Sequence, residues 1–329
     1  EVYFGSHHWP LWGRDNIQDF LGSQRDTYKF IHDQTVRLMN RGATPREIAE
    51  QLQLPDSLSQ AFHNQGYYGT VSHNAKAVYQ FYMGWFTGNP AQLDPLPEAE
   101  SARRYVDMMG GADAVLEKAR EQFRAAAGMS AEEGRNTYRW LAELLNHLVF
   151  TEPDNQEARA LLARVYDQLG YQAESGPWRD FYLTGAYELR HGLPETGIEP
   201  AVMKDVLLHT PVSLFFDSMA VRLIADEAAG EEMAIKITFT DLGEGNKGES
   251  HLLTLKNSVL RHRPVAPATP ADATLNITKP LFVELMIEEA GLSELLFSDD
   301  IRFEGSKLDL ISFFGMLDKP DGRFAMVIP

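Results

Sequence analysis

The chain has 329 residues, 44% of them hydrophobic, enough for two or three domains with buried cores. Lys and Arg total 30 against 47 Asp and Glu, a formal net charge of −17, which argues against nucleic acid or an anionic membrane as partner. There is no cysteine, so disulfides, thiol nucleophiles and Cys-ligated metal centres are excluded together, and no apolar run approaches the ~18 residues of a membrane span.

In chain order, EVYFGS (1–6) reads as the middle of a strand running into a loop, so the chain is expected to begin inside a domain. From Asp15, Ile17, Phe20, Leu21, Tyr28, Ile31, Val36 and Leu38 follow three- and four-residue spacings, which predicts a long helix capped by Asp15 and closed near Gly42. Thr44-Pro45-Arg46-Glu47 is a helix start with the residues of a capping box. Further helices are predicted near 74–87, 98–108, 111–127, 134–150, 155–169 and 172–191. Ala142, Phe150, Pro153, Ala158, Ala160, Ala163, Tyr166 and Gly170 are similar to a tetratricopeptide-type helix hairpin, which supports stacked antiparallel helices.

The linker PETGIEP (194–200) precedes a change of character. MAIKITFT (233–240) alternates with period two and predicts a strand, followed by a polar, Gly-rich turn at 241–248. Strands are also predicted over 250–256, 257–262 and 273–278, and helices over 279–289 and from 311. An antiparallel sheet with helices on one side fits this region.

Three stretches hold the candidate chemistry. GSHHWPLWG (5–13) sets His7 and His8 side by side. On an extended segment they point to opposite sides, so one can face a metal while the other meets the core. A structural pair or a tag remnant is the competing reading, and the residues alone leave both open. GYYGTVSHN (66–74) is rich in hydrogen-bond donors, with Ser72 or Asn74 placed to cap the next helix and His73 at its positive end. That is a candidate anion site, weighed evenly against an aromatic helix packed in an interface. Arg25, Lys29 and Arg37 form a basic helix face that attracts an anion or is simply solvated. The acidic pairs 132–133, 231–232 and 288–289 read as solvated charge. No phosphate loop, dinucleotide fingerprint, nucleophile elbow or HExxH is present.

SHHWPLWG (6–13), GYYGTVSHN (66–74) running on into AVYQFYMGWFTGNP (77–90), and GPWRDFYLTGAYELR (176–190) together resemble the C-terminal half of the alkyl sulfatases of the metallo-β-lactamase superfamily. The resemblance implies an α+β multidomain chain in three parts. These are the tail of a metallo-β-lactamase-like αββα domain (1–42), an all-α helical dimerisation domain (43–198) and an α+β sterol-carrier-protein-2-like domain (199–329). It implies a zinc-dependent hydrolase that cleaves alkyl sulfate esters to alcohol and sulfate. Two zinc ions are implied, His7 being the favoured ligand and His8 the second candidate. The sulfate pocket is implied at Arg37, His73, Asn74 and Tyr82, with His73 as proton donor or hydrogen-bond partner. The HxHxDH motif and the acidic ligands of the family are absent from this sequence. One histidine cannot hold a dinuclear site, so the chain alone is expected to be inactive until an N-terminal catalytic half supplies the rest. Homodimerisation through the helical domain is implied, and a periplasmic or secreted location is favoured over the cytoplasm. Phe282, Leu285, Met286, Leu295, Leu296, Phe297, Phe313 and Phe314 are candidates for an apolar groove taking alkyl chains, or are ordinary core. The alternative function is a non-enzymatic lipid- or surfactant-binding and dimerisation module.

Overall fold

The computed structural model describes residues 1–7, 9–197, 200–243, 248–287, 289–291, 301–319 and 322–329. His8, Glu288, Leu295, Leu296 and Phe297, along with part of the polar turn and of the linker, lie outside the described residues. The chain divides into two compact units: Glu1–Leu193 with Ala325–Pro329, and Pro194–Phe324.

The first unit opens with β1 (Val2–Tyr3) and β2 (Leu11–Trp12), an antiparallel pair that sets Val2 opposite Trp12. The second strand is not evident from the Pro/Trp/Gly-rich sequence. Helix α1 (Arg14–Met39) begins earlier than expected, after Gly13 at φ 87°. Asp15 is therefore not the cap. It sits in the first turn, where its charge complements the helix dipole. Gly42, at φ 80°, turns the chain into α2 (Pro45–Gln51). The Thr44 hydroxyl accepts from the Glu47 N–H, and the Glu47 carboxylate accepts from the Thr44 N–H, completing the capping box. A short turn, α3 (Asp56–Ser59), precedes α4 (Val71–Met83). Ile31 and Leu38 of α1, Ile48 and Leu52 at α2, and Ala75 and Tyr79 of α4 form one buried cluster. That shared core joins the second half of α1 to the helices after it.

Five longer helices follow: α5 (Glu98–Met108), α6 (Ala112–Ala126), α7 (Ala131–Thr151), α8 (Gln156–Gln172) and α9 (Gly176–His191). α5 and α6 both pack on α7, and α7, α8 and α9 stack in succession through short connections, as the hairpin pattern predicts. Leu145, Leu148 and Leu162 are fully buried in their common core, each stabilising by roughly 1.5–3 kcal/mol. Gly170 lets α8 and α9 approach closely, because a Cβ there would lie 2.9 Å from Leu183 Cδ2. The chain's last residues return to this unit. The buried Glu188 carboxylate of α9 accepts from the Met326 and Val327 N–H groups at 3.0 Å each, and Val327 joins the helical core.

The second unit contains α10 (Lys204–His209), α11 (Val212–Val221), β3 (Met233–Phe239), β4 (Glu249–Lys256), β5 (Val259–Val265), β6 (Ala273–Ile277), α12 (Lys279–Met286), β7 (Arg302–Gly305) and α13 (Lys307–Gly315). The sheet order is β5-β4-β3-β6-β7. β3 and β6 run parallel and the other neighbours antiparallel, so the sheet is mixed rather than purely antiparallel. Asn257 and Ser258, both at φ 56°, form the two-residue turn between β4 and β5, which moves the second strand later than expected. Helix α13 starts at a Ser306 cap, earlier than the 311 expected from the apolar run. Phe216, Phe239, Phe282 and Phe313 are fully buried, and Leu285, Met286 and Phe314 pack on the same core. The described members of the expected alkyl groove are thus core side chains.

Candidate functional site

Helix α4 starts where a loop, α1 and α9 meet. Thr70 caps it, its Oγ1 accepting from the His73 N–H at 2.9 Å. Ser72 and Asn74 are inside the helix and are not the cap. His73 is nevertheless in the first turn, as expected, at the positive end of the dipole.

Its ring is held from α9. The Trp178 indole N–H donates to His73 Nδ1 at 3.1 Å. An indole nitrogen can only donate, so Nδ1 is the acceptor and the neutral ring carries its proton on Nε2. The exposed face of His73 therefore presents an N–H. Lys76, one turn further along α4, lies 5.7 Å from the centroid of the Trp178 ring. Burial, then the neighbouring Arg139 charge, pushes the Lys76 ammonium below its usual pKa. Arg139 itself grips Glu50, Nη2 to Oε1 at 2.6 Å and Nη1 to Oε2 at 3.3 Å.

The loop before α4 is pinned to the start of α9. Gly176 N–H donates to the Tyr67 carbonyl at 2.8 Å, and the Ser175 hydroxyl donates to the Tyr68 carbonyl. Asn74 lies over this loop. A Cβ on Gly69 would stand 2.9 Å from Asn74 Oδ1, so a larger residue there would push the Asn74 amide aside. Asn74 lines a cavity of about 390 Å³ together with Thr27, Tyr28 and Ile31 of α1 and the 66–70 loop.

Tyr82 belongs to a different constellation. Its hydroxyl meets His32 Nε2 at 2.8 Å, and His32 Nδ1 meets the Asp33 carboxylate at 2.9 Å. Asp33 also holds Lys29 at 2.6 Å. Hydrogen bonds from Lys29 and then His32 keep the Asp33 carboxyl below the usual carboxylate range. With Asp33 accepting from Nδ1–H, the neutral His32 ring takes the Tyr82 O–H at Nε2.

The four residues expected to bind one sulfate therefore stand at three places. His73 and Asn74 stand at the start of α4. Tyr82 is nine residues from His73, an axial rise of about 13 Å. Arg37, in the last turn of α1, is exposed and donates to Gln34 Oε1 at 2.7 Å. Arg25 and Lys29 pair with Asp26 and Asp33, so the expected basic face is largely neutralised. Arg37 alone of the three has no carboxylate partner among the described residues. The sequence does not signal the roles of Trp178, Lys76 and His32, because their partners His73, Trp178 and Tyr82 lie far away in the chain and only the fold unites them.

His7 is exposed in the loop between β1 and β2. No group of three or more His, Asp or Glu placed to hold a metal exists among the described residues. The residues present thus do not by themselves fit a zinc centre.

Two family models match the chain: alkyl sulfatase dimerisation over residues 44–192, and alkyl sulfatase C-terminal over residues 200–329. The chain is thus a helical dimerisation domain followed by an α+β C-terminal domain. It belongs to the alkyl sulfatase family. It is similar over its whole length to a linear primary-alkylsulfatase of Pseudomonas sp. (43% identity, 47% of that protein covered). It is likewise similar to the alkyl/aryl-sulfatase BDS1 of Saccharomyces cerevisiae (41% identity, 48% covered). Among solved structures, the stereoselective inverting sec-alkylsulfatase of Pseudomonas sp. superposes with a TM-score of 0.86 at 39% identity, over 100% of this chain and 49% of that one. The chain spans about half the length of these relatives.

Proposed function

We propose that this chain is the C-terminal part of an alkyl sulfatase that hydrolyses alkyl sulfate esters to alcohol and sulfate. On this reading residues 1–42, which hold β1, β2 and α1, are the tail of a metallo-β-lactamase-like domain. The second unit is a sterol-carrier-protein-2-like domain, and the helical unit joins two copies into a homodimer. The two zinc ions belong to a site completed by an upstream catalytic half, with His7 as one ligand from this chain. When bound, zinc would supply an acidified water.

This chain's own part is to bind and orient the sulfate group. His73 Nε2–H donates to a sulfate oxygen, held in place by Trp178 behind it and supported by the dipole of α4. Asn74 adds an amide from the next position. Lys76 contributes positive charge without closing on the anion. Tyr82, oriented by His32 near the far end of α4, and Arg37 in the last turn of α1 each meet another part of the substrate or of the upstream half. The single observation that carries this reading is the Trp178–His73 bond, which fixes one imidazole nitrogen and leaves the other free to donate.

The test is reconstitution. The chain is mixed with an upstream half bearing an HxHxDH motif, and zinc content and sulfate release from an alkyl sulfate are measured. Sulfate release from the mixture alone, and a lower zinc content with His7→Ala, are the expected results. A reconstituted mixture that releases no sulfate contradicts the proposal.

A further inference from the structure

Where α1 packs on α4, a phenol, an imidazole and a carboxylate stand in line. Tyr82 Oη lies 2.8 Å from His32 Nε2, and His32 Nδ1 lies 2.9 Å from Asp33 Oδ1. The other Asp33 oxygen, Oδ2, accepts from the Lys29 ammonium at 2.6 Å, so the carboxylate is gripped on both sides. Hydrogen bonds from Lys29 and then His32 hold the Asp33 carboxyl below the usual range, and it stays ionised at neutral pH. His32 is the one hydrogen-bond partner of the Tyr82 hydroxyl among the described residues.

This is the arrangement a hydroxyl nucleophile needs. The oxygen hands its proton to a base within about 2.6–3.2 Å as it attacks, and a third group orients the base. Asp33 takes the Nδ1–H, which aims the Nε2 lone pair at the Tyr82 O–H. Its charge also stabilises the imidazolium that forms when the proton arrives. The line is open to a reactant, because Tyr82 is exposed and the His32 side chain is half-exposed.

We propose that Tyr82 is the nucleophile of a metal-free acyl-transfer centre, with His32 as its general base and Asp33 orienting that base. The Tyr82 oxygen attacks the carbonyl carbon of a carboxylic ester while its proton moves to His32 Nε2. A C–O bond to Tyr82 forms and the ester C–O bond breaks. The departing oxygen keeps the bonding pair and takes the proton from His32, leaving an acyl-tyrosine. Water then attacks the acyl carbon, giving a proton to His32. Tyr82 leaves with its bonding pair and recovers that proton, and a carboxylic acid is released. No second donor approaches the Tyr82 oxygen among the described residues, so a carbonyl attacked there gains little stabilisation of its developing charge. The centre therefore acts on esters whose leaving group departs easily, which makes its substrate class aryl rather than alkyl esters. Phe81, exposed and edge-on to Tyr82 with ring centroids 5.0 Å apart, offers an open face to the aryl ring. The centre uses no residue assigned to zinc and does not rest on the sulfatase reading.

The experiment is incubation of the chain with p-nitrophenyl acetate at neutral pH in the presence of a chelator. Release of p-nitrophenol is followed, and acetyl groups are mapped by peptide mass spectrometry. Tyr28, Tyr68, Tyr105, Tyr171 and Tyr187 are all more exposed than Tyr82, which is at 52%, and serve as internal controls. Reactivity set by access alone acetylates Tyr82 last of the six. An activated phenol is acetylated first, about 10²-fold faster than Tyr68, the contribution of a positioned base. Tyr82→Phe removes the initial burst of p-nitrophenol. His32→Gln slows acetylation of Tyr82 by about 10²-fold and leaves Tyr68 unchanged. Acetylation of Tyr82 no faster than that of Tyr68 in the unsubstituted chain overturns the proposal. So does a burst that survives Tyr82→Phe but vanishes with His32→Gln, because the imidazole is then itself the nucleophile.

Discussion

In the helical unit the His73 ring stands at an open helix start, one nitrogen bonded to Trp178 and the other facing outward. In the α/β unit the rings of His251 and His262 lie 5.1 and 5.4 Å from Phe216. Their Nε2 atoms meet Glu249 and Asp217, while both Nδ1 atoms are buried. The same residue type thus serves two ends. In the first unit a neighbour fixes the ring and leaves a donor available for a ligand. In the second, the ring is enclosed as part of the packing, with a carboxylate to satisfy one nitrogen. A histidine signals binding chemistry when the fold leaves one nitrogen accessible, and the partner that orients it decides which nitrogen that is.

The largest expected effect comes from breaking the packed side of this comparison. Phe216→Ala removes the ring shared by Phe239, Phe282 and both histidines, and should cost about 3–5 kcal/mol. Hydrogen exchange should show β3 and β4 losing protection while α7 and α8 keep theirs. Equal loss in both units would mean that the two cores are not separate.

The next effect belongs to the helical core and depends on pH. Burial raises the Tyr166 phenol to about 12, from an ordinary value near 10. The folded state therefore holds this proton more tightly than the unfolded chain. The stability is fully present below pH ~10 and is lost as pH rises toward ~12, by up to roughly 3 kcal/mol. Unfolding by urea across that range should show the decline, and Tyr166→Phe should flatten it. A Tyr166→Phe protein with the same alkaline slope would assign the effect to other groups.

The smallest effect sharpens the open side. Trp178→Phe keeps an edge-on ring beside His73 but deletes the donor to it. Loss of one neutral hydrogen bond corresponds to about a three- to tenfold fall in turnover of the reconstituted enzyme. Unchanged turnover would mean that the imidazole does not depend on Trp178 for its orientation.

Much of the architecture is legible in the sequence. The helix over 98–108 matches α5, and the Thr44–Glu47 capping box and the strands around 233–240 and 273–278 stand close to where their patterns place them. Helix α11 escapes notice because VSLFFDSMAV is apolar nearly all round, and a short run of that kind fits a buried strand as well as a helix. β7 is only four residues long and pairs with β6 by tertiary contact. At the candidate site the place of His73 in the first turn of a helix is readable from GYYGTVSHN, though the cap is Thr70 rather than Ser72 or Asn74. Its partner Trp178 is 105 residues away, and the partner of Tyr82, His32, is 50 residues away. No local spacing encodes either pair. Tyr82 stands near the other end of α4 from His73, and Arg37 is on α1.

The most direct test of the central claim is turnover of an alkyl sulfate by the reconstituted enzyme carrying His73→Ala. If His73 Nε2–H stabilises charge on the sulfate, turnover falls by about 10²-fold or more. Turnover within about threefold of the unsubstituted enzyme would contradict the account, because a donor to the reacting group contributes far more than that.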